Sequence, residues 1–539
     1  MSMTSRKAIC AFVISILYLI DKCEGKKPHI IVIIADDLGW NDVSFHGSNQ
    51  IPTPNIDALA YNGVILNRHY TQPTCTPSRT AFLTGLYPIR TGMYGNPLRP
   101  SEPNGIPLNF TLFPEHMKKI GYVTRLIGKW HTGYFTANHT PTYRGFDSFF
   151  GYYNGYIKYF KHTINDDFHT GHDVHRDYPN NLTVAYPSGY FTDIITQEAE
   201  KLIRNHNNKN PLYLQIAHLA VHASDNKDPL EVRDVKEINL KFGHIKNIKR
   251  RKYAGMVHAL DESVGRTVRA LQNANMLKDS IILFISDNGA QSVGHNVGSN
   301  YPLRGLKFTT YEGGVRGVAC IYSPLIKNAQ RVSNDMIHIT DWLPTFYSAA
   351  GGNIANLGEL DGVDQWSTVQ VGERSSRDFI LINIDRNSRN VAAILGNFKL
   401  IKSPLYSKYY GDLGHCRRCP AYNLTSIILS LSNQAINTVS NVKLTLTKIP
   451  KLRSMSHVRC RNLAKFIAPV GTSLFDIFND PCESINVYSK YPEITWNLKH
   501  IINDYRQVMM QHNLFDRFSD PASYPENFRG SWMPWIDKL

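Results

Sequence analysis

The sequence predicts an α/β protein with a smaller C-terminal α+β domain, on three observations. Two short, unbroken apolar runs, HIIVIIADDLGW (29–40) and SIILFISDNG (280–289), have the form of strands buried on both faces, as in parallel sheets. Between them, strand-like segments such as PLYLQIAHL (211–219) alternate with helical ones. Beyond a Gly/Asp-rich break at 349–364, short strand-like runs (DFILINI, VAAILGNFKLIK, SLFDIF) precede the helical EITWNLKHIINDYRQVMM. This divides the chain into a leader (1–25), a main domain (26–375) and a C-terminal subdomain (376–539).

The leader has the form of an export signal. Arg6 and Lys7 precede AICAFVISILYLI, an apolar run of 13 residues, and Cys23 and Gly25 suit cleavage before Lys26. A membrane span needs roughly 20 apolar residues, so no stable span is expected here or later in the chain. Four N-x-S/T triplets, at Asn109, Asn138, Asn181 and Asn423, are candidate N-glycosylation sites and agree with passage through the secretory pathway. The expected destination is extracellular or lysosomal.

In the main domain, YAGMVHALDESVGRTVRAL (253–271) places Tyr253, Met256, Val257, Leu260, Val264, Val268 and Leu271 on one helical stripe, which reads as core packing. Cys320, in the apolar GVACIYSP, reads as a buried thiol. Cys416, Cys419, Cys460 and Cys482 fit two disulfides of open connectivity. The Cys416–Cys419 spacing also suits zinc, but the second C-x-x-C of a four-cysteine site is missing. The net charge of +15 favours anionic partners such as sulfated or phosphorylated glycans. The basic run KNIKRRK (246–252) reads as the solvated start of a helix, and no nucleic-acid partner is expected of an exported chain.

The acid-rich strand tips carry the functional signal. Asp36 and Asp37 end one buried run, and Asp287 and Asn288 end the other. Ligands gather at the carboxyl ends of strands in open α/β sheets, and hard oxygen ligands suit Ca²⁺ or Mg²⁺ better than zinc. GKWHTG (128–133) offers Lys129 and His131, which would share a face if both lie on a strand. AHLAVHAS adds His218 and His222, and YPLRGLKFTTYEGGVRG adds Arg304, Lys307 and Arg316. HTINDDFHTGHDVH (162–175) reads as an exposed substrate loop in preference to a second metal site. Cys75, in TQPTCTPSRTAFLTG, has no second cysteine nearby and no apolar surroundings.

Cys75-Thr-Pro-Ser-Arg79 matches the C-x-P-x-R signature of the type I sulfatases, in which the Cys is oxidised to formylglycine during secretion. The wider pattern, including ADDLGWNDVSFHG, LTGLYPIRTGM, GKWHTG, SDNGAQ and PLRGLKFTTYEGGVRG, is most similar to the arylsulfatase B (N-acetylgalactosamine-4-sulfatase) branch from about residue 28 to 365. The resemblance implies an alkaline-phosphatase-like mixed-sheet sandwich and a catalytic domain over 26–375. It implies a Ca²⁺ ion, with Mg²⁺ second, held by Asp36, Asp37, Asp287, Asn288 and the formylglycine made from Cys75. It also implies that Arg79 stabilises the formylglycine, that Lys129 and Lys307 grip sulfate, that His131 acts on the aldehyde hydrate, and that His222 binds sulfate and assists the leaving group. A formylglycine-generating enzyme is the implied partner during secretion.

Such chemistry needs cations to neutralise the sulfate oxygens and histidines near neutral pKa for proton transfer. The implied substrate is a sulfated sugar of the N-acetylgalactosamine-4-sulfate type. The loops at 95–110, 155–185 and 405–470 depart from the pattern, which leaves small plant sulfate esters such as glucosinolates as a second substrate class. An inactive glycan-binding protein on the same scaffold is the reading of another class. A phosphatase or phosphodiesterase relative would use Ser or Thr and two zinc ions, against which Cys75 argues.

Overall fold

A run of six apolar residues, Ile30–Ala35, cannot leave either face in water, and the strand His29–Ala35 is accordingly buried along its whole length at the centre of a sheet. The computed structural model describes residues 26–294, 296–385, 389–403, 419–460, 471–510 and 519–536, so the leader lies outside the described residues. The main sheet has nine strands: β1 (His29–Ala35), β2 (Val64–Leu66), β3 (Val123–Lys129), β4 (Ser148–Tyr152), β5 (His175–Asp177), β6 (Leu212–Ala217), β7 (Ser280–Ser286), β8 (Ala319–Tyr322) and β9 (Arg331–Ser333). Their order is β9-β2-β8-β7-β1-β6-β3-β4-β5. The stretch β7-β1-β6-β3-β4 is parallel, and β8 and β5 run antiparallel on either side of it.

Register places the functional ends level. Ala35 pairs with Ser286 and Ile34 with Ala217, while Ala217 also pairs with Gly128. The residues that follow β1, β7, β6 and β3 therefore emerge along one edge. Gly128 sits at φ 98°, and a Cβ there would lie 1.9 Å from the Ala217 carbonyl oxygen. Only glycine permits that approach. Gly128→Ala is expected to cost about 3 kcal/mol or more, visible as a lower midpoint in thermal unfolding of the full chain.

Five helices matter for the site and its frame: α1 (Pro54–Asn62), α2 (Cys75–Thr84), α3 (Phe191–Arg204), α4 (Ile248–Asn273) and α5 (Pro492–Gln507). Asn247 caps α4 by accepting from Arg250 N, and all seven stripe residues from Tyr253 to Leu271 are buried. The basic run that starts α4 is not wholly solvated. Arg250 is buried and its Nη1 lies 2.6 Å from Asp42 Oδ1, an ion pair that spacing could not show.

The C-terminal strands β10 (Phe379–Ile384), β11 (Val391–Leu395), β12 (Phe398–Lys402) and β13 (Thr472–Asp476) form an antiparallel sheet in sequence order. Alternation splits its side chains between two faces. Leu381, Val391, Ala393, Leu400 and Leu474 pack with Leu498 and Ile502 of α5 and with Tyr87 and Ile89 of the main domain. Ile380, Ile382, Ala392, Ile394 and Ile401 pack with Tyr70, Tyr311 and Val315. Between the two bodies, Lys399 Nζ is buried with Glu312 Oε1 at 2.9 Å and Glu483 Oε1 at 3.0 Å.

Cys460 and Cys482 form a disulfide, and Cys419 is also disulfide-bonded. That removes Cys419 as a zinc ligand; Cys416 lies outside the described residues. Cys320 is a buried free thiol. Among the described residues no helix is long and apolar enough to cross a membrane. Asn109, Asn138, Asn181 and Asn423 are all exposed.

Candidate active site

Asp36 and Asp37 follow β1, and Asp287 and Asn288 follow the neighbouring β7, so the two acidic tips meet. Asp37 adopts a left-handed backbone (φ 58°). Its amide donates to Asp287 Oδ1 (3.3 Å), and Asn288 Nδ2 donates to Asp37 Oδ1 (2.7 Å). Ser286 joins the tips by accepting from Leu38 N (3.0 Å) and donating to Asn288 O (2.8 Å).

Cys75 opens α2, a helix buried at every position, with its Sγ at the positive end of the helix dipole. One donor atom each from Asp36, Cys75 and Asp287 lie within 4.8 Å of one another. Arg79 comes one turn later on the same helical face. Its Nη2 donates to Asp287 Oδ2 at 2.8 Å and its Nη1 to the Lys129 carbonyl at 3.4 Å.

Lys129 closes β3 and reaches Asp36 Oδ2 at 2.6 Å. Lys307 Nζ lies 2.8 Å from Asp37 Oδ1 and 3.3 Å from His222 Nε2. Three carboxylates thus face three cationic side chains in a site closed to solvent except at His222, whose side chain is 14% exposed. The His222 Nδ1 lies 2.6 Å from the Ala223 carbonyl, which assigns the proton to Nδ1. The Tyr156 ring stacks on this imidazole at 5.1 Å.

Burial sets the electrostatics. It pushes the Asp36 carboxyl up to about 7, with Lys129 opposing and the Asp287 and Asp37 carboxylates reinforcing. Burial acts the same way on Asp37, but Lys307 and His222 overcome it and hold the group at about 2. Burial raises the Cys75 thiol. Desolvation and then Lys307 lower His222 to about 3, and desolvation and then Lys129 hold His131 well below its ordinary value. Both imidazoles are neutral here, unlike the near-neutral titration the sequence led us to expect.

The residues suit a divalent cation. Asp36 Oδ1 and Asn288 Oδ1 are buried oxygens with no hydrogen-bond partner, atoms that a hard ion satisfies and that are otherwise costly to bury. The cluster contains carboxylate and amide oxygens with a single sulfur, a poor set for zinc.

Some expected members differ in detail. β3 stops at Lys129, and His131 lies beyond it in a left-handed conformation (φ 58°), so the two do not share a strand face. His131 Nε2 instead contacts the Leu98 carbonyl at 3.1 Å. His218 is a core residue beside Ser263 Oγ at 3.1 Å. Arg304 donates to the Glu483 carbonyl, and Arg316 donates to the Asn67 carbonyl and lies over Trp40; both are structural. The His-rich segment is an ordered hairpin, Thr163–Asp166 with His169–His172, and His162 and His175 are buried, so the exposed-loop reading fails for them. Ser286 and Tyr156 were missed. A serine ahead of Asp-Asn was a weak available cue, whereas ring stacking between distant segments leaves none.

The family model described as Sulfatase matches residues 28–352. The chain belongs to the sulfatase family. This sulfatase is 36% identical to arylsulfatase J of Mus musculus over 526 residues, covering 94% of this chain and 80% of that protein. It is 32% identical to N-acetylgalactosamine-6-sulfatase of Rattus norvegicus over 404 residues, covering 72% and 74% of the two chains. A crystal structure of Ps i-CgsB in complex with k-i-k-neocarrahexaose superposes with a TM-score of 0.70 at 26% identity, covering 94% of this chain and 97% of that one. The large mixed sheet with a smaller antiparallel C-terminal sheet is the alkaline-phosphatase-like architecture expected, and the enzyme is a sulfuric ester hydrolase.

Proposed function

We propose that this sulfatase acts through a formylglycine made from Cys75 and a Ca²⁺ ion held by Asp36, Asp37, Asp287, Asn288 and residue 75, with Mg²⁺ as the second choice of ion. The observation that carries the reading is the placement of Cys75 at the head of a buried helix beside Asp36 and Asp287. When present, the aldehyde hydrate supplies the nucleophilic hydroxyl and the cation the charge that draws in sulfate oxygens.

This chain's own residues do the rest. Lys307 and His222, adjacent at the open side, bind and orient the sulfate. Lys129, buried against Asp36, adds positive charge from the closed side, where low dielectric strengthens it. Arg79 holds Asp287 in place and neutralises it. His222 commits its Nδ1 proton to the Ala223 carbonyl, which leaves Nε2 to move a proton to and from the ester oxygen. His131, which feels the charges of Lys129, Arg79 and Lys307 and whose carbonyl accepts from Thr76 next to residue 75, handles a proton at residue 75.

The substrate class we infer is a sulfated amino sugar, with the 4-sulfate of terminal N-acetylgalactosamine preferred. The sulfate-binding positions match the arylsulfatase B pattern, and the similarity to an N-acetylgalactosamine-6-sulfatase supports the sugar. Purified enzyme is expected to hydrolyse an aryl sulfate but not the corresponding aryl phosphate. Its kcat/KM on a 4-sulfated galactosamine oligosaccharide is expected to exceed that on the 6-sulfated isomer, or on any of a panel of glucosinolates, by at least about tenfold. Rapid glucosinolate turnover with none on either oligosaccharide would replace the substrate and keep the chemistry.

A further inference from the structure

A cavity lined by basic side chains lies on the C-terminal subdomain. It sits between α5 and the ends of β11, β12 and β13, with a volume of about 460 Å³ and with Leu400 and Ile502 in its wall. Four basic side chains line it: Lys402 at the end of β12, and Lys499, His500 and Arg506 on α5. Lys499, Asn503 and Arg506 recur at helical spacing (i, i+4, i+7) and so share one face of α5. No carboxylate lines the cavity among the described residues.

Some long basic side chains at the surface are met by acids, as Arg176 is by Glu198 and Arg266 by Glu200. Here Lys402, Lys499 and Arg506 form no ion pair among the described residues; Lys499 Nζ donates only to the Tyr488 hydroxyl, at 2.6 Å. Like charges gathered around one concavity repel one another and raise the local positive potential, and an anion relieves both. Beside the cavity, Trp496 is 60% exposed and its ring lies 3.7 Å from that of His500. A flat aromatic surface next to a basic hollow suits a sugar ring bearing an anionic group.

We propose that this cavity binds a sulfated polysaccharide chain, with Lys402, Lys499 and Arg506 taking sulfate oxygens and Trp496 carrying a sugar face. The site is separate from the catalytic residues and anchors polymeric substrate. It rests on the glycan reading of the substrate, yet its test needs no turnover.

Binding is measured on full-length protein carrying Cys75→Ala, which prevents hydrolysis, against chondroitin sulfate, unsulfated hyaluronan and vesicles of anionic phospholipid. Chondroitin sulfate is expected to bind most tightly, and more weakly as salt is raised. Lys402→Ser/Lys499→Ser/Arg506→Ser is expected to lower that affinity at least tenfold, and Trp496→Ala to lower it with the salt dependence unchanged. In the otherwise native enzyme, the triple variant should keep kcat and KM on a small aryl sulfate. Undiminished chondroitin sulfate binding by the triple variant would overturn the proposal, as would equal or tighter binding to hyaluronan or vesicles. An enzyme that binds chondroitin sulfate here but cleaves only glucosinolates would overturn the substrate reading alone.

Discussion

Cys75→Ala is expected to abolish sulfate release, lowering kcat about 10⁴-fold or more, as loss of a nucleophile does elsewhere. Stability should hardly change. The thiol is buried at the first position of α2, where its removal leaves the helix and the Arg79–Asp287 pair intact, so the unfolding midpoint should move by only a few degrees. Peptide mass spectrometry of the parent enzyme is expected to find residue 75 as formylglycine. Full activity in protein that carries only unmodified thiol would end the proposed mechanism.

Asp287→Ala should damage both metal binding and the fold. It removes one of the clustered oxygen donors and strands the Arg79 guanidinium, which is 2% exposed, without its partner at 2.8 Å. Breaking a buried pair from one side costs about 3–5 kcal/mol, so a large drop in unfolding midpoint should accompany loss of activity. Asp287→Asn keeps the shape and one oxygen, and it separates the two effects. We expect most of the stability to return while bound Ca²⁺, measured by elemental analysis, and turnover stay low. Stoichiometric zinc in active enzyme, or full metal and activity in Asp287→Asn, would contradict the assignment.

Much of the site could be read in the sequence because its chemistry sits at strand ends. The unbroken apolar runs of β1 and β7 fixed two central strands, and the acids after them had to emerge together once the strands were adjacent. Cys75 and Arg79 were picked out by the resemblance of Cys75-Thr-Pro-Ser-Arg79 to the C-x-P-x-R signature. The failures came where spacing carries no information. The Lys129–His131 reading assumed that the strand continued, but the backbone turns left-handed at His131. Arg304 and Arg316 sit in the same basic loop as Lys307, yet tertiary partners in the C-terminal segment and at Asn67 take them for structure. Burial also displaced the histidine titrations, a property of the assembled site and of no residue by itself.

The buried Lys399 group bears on how this enzyme can be divided. Glu312, which Lys399 holds, receives a second contact when its amide donates to Glu483 Oε2 at 2.7 Å, and Arg304 donates to the Glu483 carbonyl. The loop between Arg304 and Glu312 carries Lys307. The C-terminal segment therefore works as a clamp on the loop that carries Lys307, although it lies beyond the span that the family model matches. A fragment ending at residue 352 would keep every proposed metal ligand and lose the hand that steadies Lys307. The main domain cut free of this segment is therefore expected to hold Lys307 less firmly than the whole chain does.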